Sequence, residues 1–434
     1  MLNTASVDDS LTARRASQQL KQRIHQRLVE SLDLVSTAHV GDERVREEVS
    51  RLTWQFIDEE LAAFNGTRPV SREELHTGVQ SELYGLGPLE ELLTDPQVSD
   101  ILVNGHDEVF VERLGELDRT DVVFADNQHL MRIIQRVVAR VGRRIDEVSP
   151  VVDARLPDGS RVNAIIPPLA LGGPKLSIRR FMTGLLQLES LVENGSLTKT
   201  IADFLAAAVE ARMNILISGG AGAGKTTLLD ALSESIPRSE RIITVEDSAE
   251  LILNHPHVVR LETRPGNVEG LGEFSQRELV RNSLRMRPDR IIIGEVRGPE
   301  ALDMLQAMNT GHEGSLSTIH ANDTRDALGR MEMMVSMAGF DLPIPVVRDY
   351  MSRGIDLIVH VARLKGGIRR VLRVSELLES VDGDYQLKDV FECRQCGIDA
   401  EGRARTFMEM PTYQPRCLQR FLERGVIYDD SCFG

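Results

Sequence analysis

Gly219, four intervening residues and then Gly224, Lys225 and Thr226 have the spacing of a loop that wraps a polyphosphate. In such a loop the backbone N–H groups point at phosphate oxygens, and the start of the next helix adds a favourable field. Lys225 is expected on the β- and γ-phosphates and the Thr226 hydroxyl on Mg²⁺. The small residues Gly220, Ala221, Gly222 and Ala223 let the backbone approach closely, and Thr227 continues the first helical turn. Gly219 to Thr227 are therefore the candidate nucleotide-binding residues. An ordinary glycine-rich turn is the plain alternative, and the order apolar strand, loop, Lys-Thr pair, helix argues against it.

Hydrolysis at such a loop needs carboxylates for the metal and the attacking water. In RIIIGEVRG the three isoleucines after Arg290 read as a buried parallel strand, and Glu295 is expected just past it, facing Mg²⁺ through water. In RIITVEDSAEL a second apolar strand brings Glu246, Asp247 and Glu250 to the same sheet edge. Each cluster alone could be a solvated strand end; the loop gives both a use. GHEGSLSTIHAN places His312 before a strand and His320 at its far end. A zinc-protease reading fails, because the helical motif needs its second His four residues after the first. A His near a γ-phosphate can sense it, although single histidines are commonly plain core or surface residues.

These residues need a scaffold, and the texture of the chain supplies one. Residues 10 to about 80 are charged and helical in spacing, with Leu20, Ile24, Leu28 and Leu32 on one face. DILVNG, VFVERLG, the amphipathic HLMRIIQRVVARVG and DARLPDGSRVNAIIPPL then read as a compact α+β domain ending near Phe181. A connecting helix around Leu186 to Glu193 leads into alternating strands and helices from NILISG to GSLSTIHA, an α/β pattern with a parallel sheet. Hairpin-like strands and a less regular end follow Arg363. The expected divisions are a helical section over 1–80, the α+β domain over 81–185, the nucleotide domain over 186–363 and a tail over 364–434.

The 434 residues are 41% hydrophobic and 4% aromatic, with a net charge of −15. That balance disfavours broad adhesion to DNA or anionic lipid. The amino terminus lacks the apolar core of a signal peptide, no apolar run reaches membrane-spanning length, and four cysteines do not suggest a disulfide framework, so a cytoplasmic protein is expected. Cys393 and Cys396 form one C-x-x-C pair where a closed zinc site needs four ligands, so ordinary thiols are expected.

VEDSAEL, RIIIGEVRG, GHEGSLSTIHAN and LRMRPDRI together resemble the Asp box, Walker B box and His box of the type II/type IV secretion ATPases. Upstream, PLEELLTDPQVSDILVNG, VGRRIDEVSPVVDARLPDGSRVNAIIPPLAL and SIRRF resemble the TadA/CpaF branch, the motors of tight-adherence (Flp) pilus assembly. The likeness covers about residues 83 to 380. It implies a RecA-like P-loop ATPase domain preceded by a smaller PAS-like α+β domain and an N-terminal helical section, assembled as a homo-hexamer that hydrolyses ATP with Mg²⁺. It further implies Glu250 as general base, Glu295 as the Walker B acid, His312 and His320 as the His-box pair, and Arg161 and Arg179 as nucleotide-facing arginines, with Arg143 and Arg180 as weaker candidates. Arginine suits that task because a loose phosphoryl transition state spreads charge that a planar guanidinium can contact. The implied partners are polytopic inner-membrane platform proteins, which would hold a cytoplasmic protein at the membrane without direct nucleic-acid contact. Two other classes share the loop: a ParA/MinD-like switch, which typically adds a lysine where this chain has Ser218-Gly219-Gly220, and a type IV secretion or nucleic-acid translocating ATPase, for whose base stacking few aromatics are available.

Overall fold

The structure is a computed structural model that describes residues 17–28, 31, 43–63, 71–113, 115–181, 187–264 and 272–433. The chain divides into two compact units, residues 1–182 and 183–434.

The first unit opens with helices α1 (17–28), α2 (Glu43–Ala63) and α3 (Arg72–Tyr84). Leu20, Ile24 and Leu28 meet Phe56, Ile57, Leu61, Leu75 and Val79 in one buried cluster, as their four-residue spacing requires. Leu32 lies outside the described residues. Ser71 starts α3 with a capping box, its hydroxyl accepting from Glu74 N while the Glu74 carboxylate accepts from Ser71 N. The short α4 (Glu90–Thr94) leads to β1 (Val98–Gly105), β2 (Glu108–Arg113), β3 (Glu116–Arg119), α5 (Asn127–Arg140), β4 (Val151–Arg155), β5 (Arg161–Ile165) and β6 (Lys175–Arg179). The strands form an antiparallel sheet in the order β3-β2-β1-β6-β5-β4. Leu130, Ile133, Ile134, Val137 and Val138 put the apolar stripe of α5 into the same core as Ile101, Val103, Val162 and Ile178. Buried Glu82 ties the helical section to α5, accepting from Gln18 Nε2 at 2.9 Å and standing 3.0 Å from His129 Nε2.

The second unit is a mixed α/β sheet with helices on both faces. In chain order it contains α6 (Leu188–Glu193), α7 (Lys199–Glu210), β7 (Ile215–Gly219), α8 (Lys225–Ser233), β8 (Ile242–Glu246), β9 (Val258–Glu262), α9 (Gln276–Ser283), β10 (Arg290–Val296), α10 (Glu300–Asn309), β11 (Leu316–His320), α11 (Thr324–Ser336), α12 (Ile344–Gly354), β12 (Leu357–Arg363), β13 (Arg369–Val381), β14 (Asp384–Ile398), β15 (Ala404–Met408) and α13 (Cys417–Glu423). The sheet order is β15-β14-β13-β12-β7-β11-β10-β8-β9, with every pair from β12 to β9 parallel. Alternation along β7 is decisive: Ile215 and Ile217 join the core beneath α7 and α8, whereas Leu216 joins the core beneath α10 and α11. A strand covered on both faces favours apolar side chains, with short hydroxyls such as Ser218 and Thr244 among them, which explains the near-continuous apolar runs of the sequence. Residues after Arg363 do not form a separate tail. β13 pairs antiparallel with β12, the sheet continues to β15, and Phe421 of α13 packs near Phe204 of α7. Of the connecting helix expected around Leu186 to Glu193, the part from Leu188 is present and Leu186 lies outside the described residues.

Candidate nucleotide site

β7 ends at Gly219 between two parallel neighbours, with His320 of β11 and Val361 of β12 at its level. A Cβ on Gly219 would run into the Val361 carbonyl, so glycine is required for the strands to stay paired. The chain then turns through Gly222 (φ 66°) and Gly224 (φ 97°), left-handed positions that disfavour a side chain. Gly220 faces open space, with no atom within 4 Å of a Cβ placed there. Gly224 is the N-cap of α8, and Leu228 N donates to its carbonyl at 2.9 Å.

Lys225 is only 8% exposed. Its Nζ donates to Gly220 O at 3.1 Å and stands 4.0 Å from Glu295 Oε1. The sequence put Glu295 beyond its strand; β10 instead runs through it to Val296, with a shift in the β10–β11 register between Ile293 and Val296. Such an irregularity redirects a strand-end side chain. Gln276 Nε2 holds the Glu295 carbonyl at 2.8 Å. Around the carboxylate stand Arg297, whose Nε donates to Oε2 at 2.7 Å, and His320, whose Nε2 is 2.9 Å from Oε1. Oε1 is buried and accepts no hydrogen bond among the described residues. Burial holds the His320 pKa below its ordinary value, against the pull of Glu295 and with help from Lys225 and Arg297.

The acidic loop is built differently from the sequence picture of three carboxylates at one edge. Glu246 is buried and points inward, its Oε2 accepting from Glu250 N at 2.6 Å and Leu251 N at 2.8 Å. It therefore fixes the backbone that carries Glu250. Arg297 Nη1 reaches Asp247 Oδ2 at 3.5 Å, so one arginine links this loop to Glu295. Sequence reasoning gave Arg297 no role, although it stands two residues beyond Glu295 in the same motif.

His320 thus joins the loop, Lys225 and Glu295 in one place. His312 does not join them: it precedes Leu316, at the opposite end of β11, and its Nδ1 is buried without a hydrogen-bond partner among the described residues. A parallel strand separates its two ends by its whole length, and both histidines sit in one motif only in the linear sequence. Arg161 and Arg179 belong to the first unit, where they are directly opposed on β5 and β6. Arg155 opposes Arg161 on β4, and Asp100 opposes Arg179 on β1, with its Oδ1 3.7 Å from Arg179 Nε. Arg180 braces the same sheet, donating to Val98 O at 3.0 Å and to Asp95 O, while Arg143 is exposed. Cys393 is buried and Cys396 exposed on β14, so the pair does not present two thiols to one side.

Residues 82–424 match the family described as Type II/IV secretion system protein. The chain belongs to that family. A protein of Mycobacterium tuberculosis (strain ATCC 25618 / H37Rv) named for conjugal transfer is 40% identical over 319 residues, which span 72% of this chain and 90% of the relative. The type IV secretion system protein VirB11 of Brucella suis biovar 1 (strain 1330) is 33% identical over 305 residues, 64% of this chain and 84% of the relative. Among solved structures, that of the VirB11 ATPase from the Brucella suis type IV secretion system in complex with sulphate is 30% identical with a TM-score of 0.36, covering 68% of this chain and 97% of that one.

In this secretion system protein the packing of the acidic loop has a consequence for stability. Burial pushes Glu246 up to about 7, opposed by its two N–H donors and by Arg260. Burial likewise pushes Asp230 of α8 up to about 7, and the charge of Glu246 adds to the shift. Folded-state values above the unfolded ones mean that the native state binds more protons between roughly pH 4 and 7. Their contribution is fully present below the unfolded pKa and is lost as pH rises through about 7. Between pH 8 and pH 6 the wild-type protein should gain on the order of 1 kcal/mol, about 2–4 °C in Tm, relative to Glu246→Gln. Melting curves at the two pH values test this; parallel shifts in both proteins would mean that Glu246 ionises normally.

Proposed function

We propose that the chain is an ATP-hydrolysing motor subunit that works as a homo-hexamer and drives a type IV secretion machine of the conjugal-transfer kind. The observation that carries the reading is the position of Lys225 Nζ, held between the Gly220 carbonyl and Glu295 at the mouth of a loop with left-handed glycines. Glu295 Oε1, buried beside that ammonium and 2.9 Å from His320 Nε2, fits a water-mediated metal contact. When bound there, Mg²⁺ would supply positive charge against that of the phosphate oxygens, with the Thr226 hydroxyl and the Glu295 carboxylate as the residues that would hold it. Glu250, held by Glu246, takes the proton of the attacking water. The names of the relatives support a type IV secretion machine. A second reading, the TadA/CpaF motor of tight-adherence pilus assembly, is supported by the upstream motifs from Pro88 to Phe181. A Lys225→Ala allele in the source organism separates the two: lost substrate export with intact surface fibres supports the first, and lost fibres with intact export the second. Among the described residues no helix is long and apolar enough to cross a membrane. Attachment to the inner membrane through polytopic partner proteins is part of the same proposal.

Arg161 and Arg179 are proposed to contact the nucleotide of their own chain. Arg155, Arg161 and Arg179 stand in one row across neighbouring strands beside Asp100, and guanidinium groups gathered in this way suit the oxygens of a phosphate. Arg161→Ala and Arg179→Ala should each slow hydrolysis roughly ten- to a thousandfold while Mg-ATP still binds. Mixing Arg161→Ala subunits with Lys225→Ala subunits tests the assignment to one chain. Activity should stay low, because every site lacks one of the two groups; substantial recovery would place the arginine across a subunit boundary.

A further inference from the structure

We propose that the β12–β13 hairpin is the nucleoside-side wall of the site, with Arg363 contacting the base and ribose and Arg369 positioning the phosphate loop beside them. The inference rests on the nucleotide reading of that loop and extends it to residues outside the motif. Strand order sets the direction. β11, β10 and β8, with His320, Glu295 and Glu246 at their ends, lie on one side of β7, and β12 and β13 lie on the other. Lys225 stands 4.0 Å from Glu295, so the phosphate that undergoes attack faces the β11–β10 side. A nucleotide laid along the loop then runs away from those carboxylates, and the next backbone it meets is the hairpin.

Two guanidinium groups stand there. Arg363 ends β12 and Arg369 opens β13, paired directly across the hairpin, with Leu364 N donating to Ile368 O at 2.7 Å to close the turn. Arg369 Nε donates to the Gly222 carbonyl at 3.0 Å, and its Cδ lies 3.3 Å from where a Cβ on Gly224 would be. Carbonyls of a phosphate loop turn outward when its N–H groups turn in, so Arg369 braces the outer face of the loop and holds Gly222 in its left-handed turn. Among the described residues that is its one hydrogen bond and no carboxylate pairs with it. Its charge is thus added to the field of the loop. Arg363 is exposed, and its Nη1 lies 3.6 Å from where a Cβ on Gly222 would be, at the rim rather than behind it. A planar guanidinium at a rim suits the face of a purine and the oxygens of a ribose.

The test compares Mg-ADP with inorganic tripolyphosphate, which fills the loop without a nucleoside, using the purified full chain. Arg363→Ala should weaken Mg-ADP binding roughly three- to thirtyfold and leave tripolyphosphate within about twofold, the scale of one cation–π or charged hydrogen-bond contact. Arg369→Ala should weaken both ligands together and raise KM for ATP more than it lowers kcat, at unchanged Tm, and Arg369→Lys should restore part of the loss. Equal losses of both ligands in Arg363→Ala, or no loss, would overturn the wall. Wild-type protein that binds neither ligand would instead refute the nucleotide reading itself, so the two failures are distinct.

Discussion

Lys225→Ala should lose ATP turnover by at least about a thousandfold, more than the removal of a single preorganised hydrogen-bond donor commonly costs, because a full charge on the β/γ-phosphates disappears with it. The structure gives this substitution a clean reading. Lys225 lies in the first turn of α8, where alanine is at least as good a helix former, and its ammonium is buried with a neutral carbonyl and a carboxylate 4.0 Å away as partners. Taking a buried ammonium out relieves desolvation, and Arg297 remains on the Glu295 carboxylate. The variant should therefore fold and melt within a few degrees of wild type. Phosphate release and nucleotide binding should fall together in the purified protein. Turnover within about tenfold of wild type would leave the loop as a glycine-rich turn with no polyphosphate to hold.

The parts of this site that were legible in the sequence are those in which chemistry and local structure share a few consecutive residues. Gly219 to Thr226 state their own geometry, since the left-handed positions are glycines and the cation opens the helix. RIIIGEV announces a buried strand with an acid at its end, because a strand covered on both faces is mostly apolar before it surfaces. What was not legible depends on which strands become neighbours. Nothing in GIRRV shows that Arg369 will meet Gly222, because that contact needs β12 beside β7 and an antiparallel return of β13. The inward turn of Glu246 was hidden for the same reason: in VEDSAEL it looks like Asp247 and Glu250, and only the fold of the loop over it distinguishes an acceptor of two N–H groups from a solvated acid. His312 and His320 show the converse case. The sequence already set them at the two ends of one strand, and only the family resemblance gave both a His-box role; the structure keeps them at opposite ends of β11. The opposition of Arg161 to Arg179 likewise follows from β5–β6 pairing across a loop of nine residues, which no spacing rule encodes.

Glu295→Gln and Glu250→Gln should each retain ATP binding and lose hydrolysis by at least about a hundredfold, yet they should fail for different reasons. Glutamine at 295 keeps the size and one oxygen for Arg297 Nε but removes the charge that faces Lys225 Nζ and His320 Nε2. If Oε1 holds a metal-bound water, the variant should need a higher Mg²⁺ concentration to reach its residual rate. On the proposed assignment Glu250, whose backbone is held by Glu246, takes no part in the metal contact, so Glu250→Gln should show the wild-type Mg²⁺ requirement. Glu246→Gln supplies the third comparison. It keeps one carbonyl oxygen for the N–H groups of Glu250 and Leu251 while removing a charge that does not touch the phosphates. Its rate should therefore fall less than that of Glu250→Gln. Mg²⁺ titrations of single-turnover rates in the three variants decide the assignment. A raised requirement in Glu250→Gln with an unchanged one in Glu295→Gln would exchange their roles. A Glu246→Gln variant as slow as Glu250→Gln, with Tm unchanged, would make Glu246 the proton acceptor and reduce Glu250 to part of the loop that covers it.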